Sequence, residues 1–342
     1  MNERFPSTDK LKLLYELAIK FRKIKCWEYM EDTDIFGVMN PKNGEIGYVC
    51  ILGNVKEVFG INVYLGPKGL DGYLKVLSGE TYPGRINMFS TQYCLSLTYE
   101  NLDFLDKRDI NTILELGIDP KGKILLPFFR SYIPGYYPWY LTEEETDFFK
   151  VVLEQAIDVC TRFKTNKSLF KTNKPNNYFV KSASENKGVT IWEDKLLKTS
   201  SYKEEYEDTQ INELKLKKIF KKTLQKEGVW EVGCDFFPLC INNKKSRPYM
   251  PLVFLCVDGL TGEILGHSLS SLRKNYLLLP EEILGLIDKL NKIPEILIVD
   301  KKDFINVLKP ISDKLGISVR FKRNLLYYEE AANSLIDFLN KR

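Results

Sequence analysis

Histidine is nearly absent from this chain, which has one in 342 residues, His267. Zinc sites built from several histidines are therefore excluded, and a nucleophile–histidine triad would have to use this single residue. His267 alternates with apolar neighbours over 263–269, which is typical of a residue on the face of a strand. Any bound metal would be a hard cation such as Mg²⁺ or Mn²⁺, held by oxygen ligands.

Nucleotide-binding loops, cysteine motifs and long apolar runs are missing as well. Neither a G-x-G-x-x-G nor a Walker-type sequence occurs, so no motif supports a nucleotide site. The seven cysteines are scattered and lack a C-x-x-C pair, which suits a reducing compartment rather than a disulfide framework or a zinc site. The most apolar stretch, 252–257, is too short to span a bilayer, and the first residues do not resemble a signal peptide. These absences predict a cytoplasmic protein without a membrane partner.

Charge is nearly balanced over the whole chain, at a net +4, but it is unevenly distributed. From Arg162 to Glu227, sixteen Lys or Arg residues stand against nine Asp or Glu, a net of +7. We expect residues 163–227 to be a basic connector with a possible hairpin and a helix over 211–224. That helix either contacts nucleic-acid phosphates or simply exposes its lysines to solvent beside an apolar stripe. The candidate contact residues are Lys217, Lys218, Lys221 and Lys222.

Residues 1–162 predict an α+β domain of unknown role. An amphipathic helix over 8–25 precedes several short strands, and a helix over 142–161 has Thr142 as its N-cap. Near the end of this domain, 127–140 is crowded with aromatic residues and predicts either a packed loop or a site for a flat ligand. The candidate binding residues are Arg130, for a phosphate or carboxylate, and Tyr136 and Trp139, for stacking.

Residues 228–342 predict an α/β domain with a five-stranded mixed sheet. Three antiparallel strands come first, and the almost wholly apolar strand 251–257 must be central or heavily buried. Strands then alternate with helices, which gives the order β-β-β-α-β-α-β-α. Asp258 falls in a hairpin turn, where aspartate is favoured for local hydrogen bonding.

Three acidic residues lie near the ends of these strands and helices. Asp235 lies on the first strand, Asp300 ends the fourth strand, and Glu329 opens the last helix. Glu329 borders the apolar face of that helix, whereas Glu330 points nearly opposite. The order of elements and acids resembles the RNase H-like catalytic cores of integrases and DDE transposases.

The resemblance implies that Asp235, Asp300 and Glu329 bind Mg²⁺ or Mn²⁺ for phosphodiester chemistry. Two such ions, roughly 3.5–4 Å apart, clamp the attacking and leaving oxygens in two-metal enzymes. Here, however, Lys301 and Lys302 follow Asp300, and ammonium groups compete with a metal ion. Two functions therefore stay open: a metal-dependent nuclease or strand-transfer enzyme, and a non-catalytic binding or regulatory module on a degenerate RNase H-like fold. The lysines favour the second, with nucleic acid or another protein as partner.

Over its whole length the chain also resembles a family of uncharacterised bacterial two-domain proteins. The resemblance implies an α+β N-terminal domain followed by an α/β C-terminal domain, and it implies no activity. The motifs that carry it are Trp27-Glu28, Asp34-Ile35-Phe36-Gly37-Val38, Gly44-Glu45-Ile46-Gly47-Tyr48, Val63-Tyr64-Leu65-Gly66, Phe129-Arg130-Ser131-Tyr132, Pro134-Gly135-Tyr136, Pro138-Trp139, Arg247-Pro248-Tyr249, Val257-Asp258 and Thr261-Gly262.

Overall fold

Two compact units make up the protein in a computed structural model. The model describes residues 4–79, 91–120, 125–202, 212–222, 224–242, 247–270 and 278–340. The first unit comprises Met1–Pro134 and Pro138–Lys203, and the second comprises Gly135–Tyr137 and Glu204–Arg342. Each unit has its own sheet and its own hydrophobic core. The predicted mixed α/β character, with two sheets, is confirmed.

A seven-stranded sheet forms the centre of the first unit. Its strand order is β5-β4-β3-β2-β1-β6-β7, and every neighbouring pair is antiparallel except β1 and β6, which are parallel. The strands are β1 (Phe36–Met39), β2 (Ile46–Leu52), β3 (Gly60–Leu65), β4 (Cys94–Glu100), β5 (Leu126–Tyr132), β6 (Asn177–Asn186) and β7 (Val189–Lys198).

Both faces of this sheet are covered. The side chains of β2 are therefore apolar whichever face they point to. Val49 and Ile51 face the core beneath α1 and α4, whereas Tyr48 and Cys50 join a tyrosine-rich cluster with α2. Thr142 is confirmed as the N-cap of α4, with Glu145 completing a capping box. The helices are α1 (Thr8–Ile24), α2 (Gly66–Leu77), α3 (Lys107–Glu115) and α4 (Glu143–Thr165).

A five-stranded mixed sheet forms the centre of the second unit, in the order β11-β10-β9-β13-β14. β9, β10 and β11 are antiparallel neighbours, while β13 and β14 add in parallel on the other side of β9. The strands are β9 (Val229–Phe236), β10 (Leu252–Asp258), β11 (Ile264–Ser270), β13 (Ile296–Val299) and β14 (Ser318–Phe321). A separate parallel pair joins β8 (Gln225–Lys226) to β12 (Lys292–Ile293).

Helices lie on both faces of the second sheet. On β10, Phe254 and Cys256 pack beneath α5, α6 and α7, and the intervening Leu255 and Val257 pack beneath α8. Burial on both faces accounts for the continuous apolar sequence of this strand. The helices are α5 (Glu213–Phe220), α6 (Leu279–Leu290), α7 (Asp303–Leu315) and α8 (Leu326–Asn340).

The residues predicted to form a connector, 163–227, are divided between the two units instead. The hairpin of β6 and β7 extends the first sheet because Val180 pairs with Gly37 of β1. Helix α5 buries Leu216 and Ile219 in the second core. In the structure the units divide near residue 203, whereas the sequence predicts boundaries at 162 and 228. Residues 211 and 223 of the predicted helix lie outside the described residues.

Within the described ranges, no helix is long and apolar enough to cross a membrane. The seven cysteines are free thiols, six of them buried and Cys240 exposed.

Alkaline pH is expected to unfold the first unit. Burial raises the pKa of Tyr64, Tyr73 and Tyr99 well above the usual value of about 10. The folded state therefore keeps protons that the unfolded chain releases near pH 10, so this stabilisation is present below about pH 10 and lost as pH rises further. Ultraviolet absorbance of tyrosinate and circular dichroism should change together during an alkaline titration. Reversible ionisation of all tyrosines before any loss of structure would contradict this.

Candidate functional site

The predicted acid on β9 belongs to a set of three alternate residues on one face of the strand. Glu231, Gly233 and Asp235 face α8, while the alternating Trp230, Val232 and Cys234 belong to the opposite core. Glu231 is 3 % exposed, which is rare for a carboxylate unless it has a partner.

Tyr328 of α8 provides that partner and lies along the strand. Its backbone N–H, in the first turn of the helix, donates to Glu231 Oε2 at 2.9 Å, and its hydroxyl donates to Asp235 Oδ2 at 2.9 Å. Orphan N–H groups at a helix start favour such an anionic acceptor. The ring crosses Gly233, where a Cβ atom would lie 2.3 Å from Tyr328 Cζ. Only glycine permits this approach.

Lys301 occupies the other oxygen of Asp235. Its Nζ donates to Asp235 Oδ1 at 2.8 Å and to the Cys234 carbonyl oxygen at 2.6 Å. The ammonium also lies 5.1 Å from the ring centroid of Phe304. Asp235 thus has a neutral donor on one oxygen and a cation on the other.

Asp300 lies just beyond the end of the neighbouring strand. It follows Val299, which pairs with Val232 in the parallel register of β13 and β9. Desolvation, and then the negative charges of Asp235 and Asp300, raise the pKa of Tyr328 well above its usual value. Glu329 is half-buried in the first turn of α8, and Glu330 is exposed.

The arrangement does not fit a divalent metal as it stands. Lys301 and Tyr328 hold the two oxygens of Asp235, and the Lys301 ammonium already supplies a positive charge there. Across the ranges that the structure describes, no three His, Cys, Asp or Glu side chains are grouped to hold a metal ion. No reaction step through a metal follows from this geometry.

Three members of this cluster do not follow from the prediction of the acids, and two of them have a local signal. Glu231 and Gly233 precede Asp235 at a spacing of two, which places all three on one strand face. Tyr328 has no such signal. Its contact with Asp235 depends on where that helix meets the strand, 93 residues away in sequence.

Arg130 of the predicted aromatic site is buried in an ion pair. Its guanidinium donates to both carboxylate oxygens of Asp109, at 2.9 and 2.6 Å, and to Asp106 Oδ2 at 3.2 Å. It also stacks on the ring of Phe128, and Tyr140 donates a hydrogen bond to Asp106. Burial is the largest influence on the pKa of Arg130 and lowers it, but the hydrogen bond and charge of Asp109 together with the charge of Asp106 raise the pKa overall. These contacts indicate a structural role for the Arg130 guanidinium.

The other two predicted ligand residues have separate partners. Trp139 belongs to the first unit, and its backbone exchanges two hydrogen bonds with Ser131, at 2.8 and 3.0 Å. Tyr136 belongs to the second unit, where it forms a β-bridge with Tyr249 and a ring contact at 6.5 Å between centroids. Trp139 and Tyr136 therefore lie in different units, and neither unit contains both of them.

The four lysines predicted to contact nucleic acid also differ in their surroundings. Lys218 and Lys222 bind the carboxylate of Asp288 on α6, at 2.7 and 2.6 Å. Lys217 lies on the exposed side of α5, and Lys221 follows its last residue and is also exposed. Two of the four lysines thus hold the helix to the second unit.

Comparisons with known proteins identify two domains of unknown function. Residues 12–181 match the family model described as Domain of unknown function (DUF7309), and residues 215–336 match Domain of unknown function (DUF6930). These matches confirm that two such domains cover most of the chain. No curated protein matches it. Among solved structures, the catalytic core domain of BIV integrase is similar at 15% identity and a TM-score of 0.26, over 33% of this chain and 70% of that one.

Proposed function

We propose that the second unit is a non-catalytic binding or regulatory module built on an RNase H-like fold. The observation that supports the proposal is that both carboxylate oxygens of Asp235 already accept hydrogen bonds, from Lys301 Nζ and from the Tyr328 hydroxyl. In a metal-dependent relative, these positions would belong to a divalent cation.

The sheet supports the fold assignment. β9 and β13, the first and fourth strands of the main sheet, are parallel neighbours, and β10 and β11 extend the other side of β9. This neighbour relation is what the resemblance to integrase cores implies. The fold by itself specifies no activity.

Electrostatics supports the absence of catalysis. Lys301 is about one third exposed and Asp235 is 15 % exposed, so their attraction is screened less than at an open surface. A metal ion would have to displace an ammonium that also bonds the Cys234 carbonyl. Leaving that ammonium without its acceptors carries a desolvation cost.

Cleavage assays test the proposal directly. We expect the full chain to leave single- and double-stranded DNA and RNA intact in Mg²⁺ or Mn²⁺. Asp300→Asn is the control for contaminating nuclease, because equal background in both proteins marks cleavage from another source. Metal-dependent cleavage by the wild type that disappears in Asp300→Asn would establish the nuclease alternative instead.

Removing the ammonium should create cation affinity. Lys301→Met keeps an apolar stem beside Phe304 but removes the ammonium from Asp235 Oδ1, so we expect Mn²⁺ to bind about tenfold tighter or more than to wild type. Titration calorimetry or Mn²⁺ paramagnetic resonance measures this. Lys302→Met is the matched control, since Lys302 lies over the ring of Phe321 instead. Equal Mn²⁺ binding by both variants would show that Lys301 does not substitute for a cation.

A further inference from the structure

The hairpin of β6 and β7 forms one edge of the sheet in the first unit. β7 is the last strand in the sheet order, and in the described residues it pairs only with β6. All ten residues of β7 pair with β6 in one continuous register. Most of its side chains are exposed, including Val189 at 63% and Leu196 at 50%. A long, regular edge of this kind has backbone groups that are free to pair with another strand.

The chain leaves β7 on the side away from that edge. Thr199 donates its backbone N–H to the Asn176 carbonyl oxygen at 2.9 Å, and its hydroxyl accepts a hydrogen bond from Tyr48 of β2 at 2.8 Å. The ring of Tyr202 then lies 5.8 Å from Lys68 Nζ of α2. In the sheet order, β6 and β1 separate β7 from β2. The described residues that follow β7 therefore run toward the middle of the sheet and leave its outer edge uncovered.

The turn of the hairpin determines which backbone groups face outward. Lys187 and Gly188 have φ values of 49° and 78°, which is typical of a two-residue type I′ turn. The hydrogen bond of such a turn joins the Asn186 carbonyl to the Val189 N–H. Hydrogen-bonded and non-hydrogen-bonded pairs alternate along an antiparallel ladder, so the odd-numbered residues of β7 bond to β6. The N–H and C=O groups of the even-numbered residues in 190–198 therefore point to the free edge.

A second copy of β7 fits this edge in one register better than in any other. Even-numbered residues must meet even-numbered residues, so a two-fold axis passes through a residue. With the axis at Asp194, Glu193 faces Lys195 of the second copy, and Ile191 faces Leu197, each pair occurring twice. An axis at Glu193 or at Lys195 would place two like charges opposite each other. Axes farther along the strand give neither Glu193 nor Lys195 an opposite charge.

One pair in the preferred register is unfavourable, because Asp194 faces its own copy. Within its own chain, however, Asp194 binds both Arg162 and Lys181. The same two cations also bind Asp158. These four side chains are neutral as a group, so the two Asp194 carboxylates repel each other less than isolated charges would. The two Glu193–Lys195 pairs therefore outweigh this contact.

We infer that the first unit dimerises through β7, with the two-fold axis at Asp194, so that two seven-stranded sheets join into one. The outward groups of the two strands supply about ten backbone hydrogen bonds, within the usual range for a protein interface. A single pair of strands buries a small area, so we expect a dissociation constant on the order of 1–100 μM. The partner is a second copy of this chain, and the inference does not rest on the function proposed for the second unit.

A matched pair of charge variants tests the register. Glu193 and Lys195 are exposed, so Glu193→Lys and Lys195→Glu should both fold. In either variant alone, like charges meet at both pairs, so sedimentation velocity of the full chain should show dimerisation about tenfold weaker or more. Mixed in equal amounts, the two variants regain opposite charges at both pairs and should form a heterodimer with nearly wild-type affinity.

The controls change the same net charge elsewhere. Glu16→Lys and Lys12→Glu, at exposed positions of α1, should each dimerise like the wild type. A wild type that stays monomeric at about 100 μM, above the expected dissociation constant, overturns the inference. So does a dimer that both β7 variants leave unchanged, or a mixture of the two that forms no heterodimer.

A proline variant tests whether backbone pairing joins the copies. Leu196→Pro removes an N–H that points to the free edge and keeps the bonds to β6, whereas Leu196→Ala removes only the side chain. We expect the proline variant to lose dimerisation by about tenfold or more, and the alanine variant to lose less. Equal dimerisation of the two variants contradicts strand addition. If Leu196→Pro loses its thermal transition, the mixture of charge variants still decides the inference.

Discussion

Replacing Arg130 with methionine is expected to destabilise the first unit by about 3–5 kcal/mol, the usual cost of removing one partner of a buried ion pair. Asp109 is only 8% exposed in its side chain and would keep a charge with no guanidinium to bind it. Asp106 is 47% exposed and can turn to water, so Asp109 carries most of the penalty. By calorimetry we expect the transition of the first unit to fall by roughly 10 °C.

A second substitution separates the ion pair from simple packing. In Arg130→Met/Asp109→Leu both charges are gone and the volume is filled, so we expect most of the lost stability to return. Arg130→Lys keeps the charge but not the two parallel hydrogen bonds, and should give an intermediate loss. If the single and double variants are equally unstable, the loss comes from the stacking of Arg130 on Phe128 and not from Asp109.

Local patterns were enough to predict the elements whose causes are local. The helix start at Thr142 and the turn at Asp258 both depend on hydrogen bonds to residues two or three positions away. The apolar composition of strand 252–258 is enough to predict that the strand is buried. Such features need no knowledge of the rest of the chain.

The roles of Arg130 and Asp235 could not be predicted in the same way. Arg130 pairs with Asp109, on a helix 21 residues earlier, and an isolated arginine in an aromatic segment is equally suited to a ligand. Asp235 meets Lys301 and Tyr328 across 66 and 93 residues. That the three predicted acids form one site stays a prediction. What the order of elements does not reveal is that a tyrosine hydroxyl donates a hydrogen bond to Asp235.

Gly233→Ala is expected to destabilise the second unit by about 1–3 kcal/mol, in the range for overpacking a buried site. The added methyl would overlap the Tyr328 ring, at 2.3 Å from Cζ and 2.6 Å from the hydroxyl oxygen. A displaced ring would withdraw its hydroxyl from Asp235 and its N–H from the buried Glu231. Calorimetry of the full chain measures the loss.

A double-mutant cycle with Tyr328→Ala identifies the cause. Tyr328→Ala alone should cost about 3–5 kcal/mol, since it empties a buried aromatic site. In that background Gly233→Ala should cost less than about 1 kcal/mol, because nothing remains for the methyl to strike. Equal costs of Gly233→Ala in both backgrounds would mean that the strand needs glycine for another reason. A strong coupling would instead show that β9 needs glycine at this position because the Tyr328 ring packs on it beside Asp235.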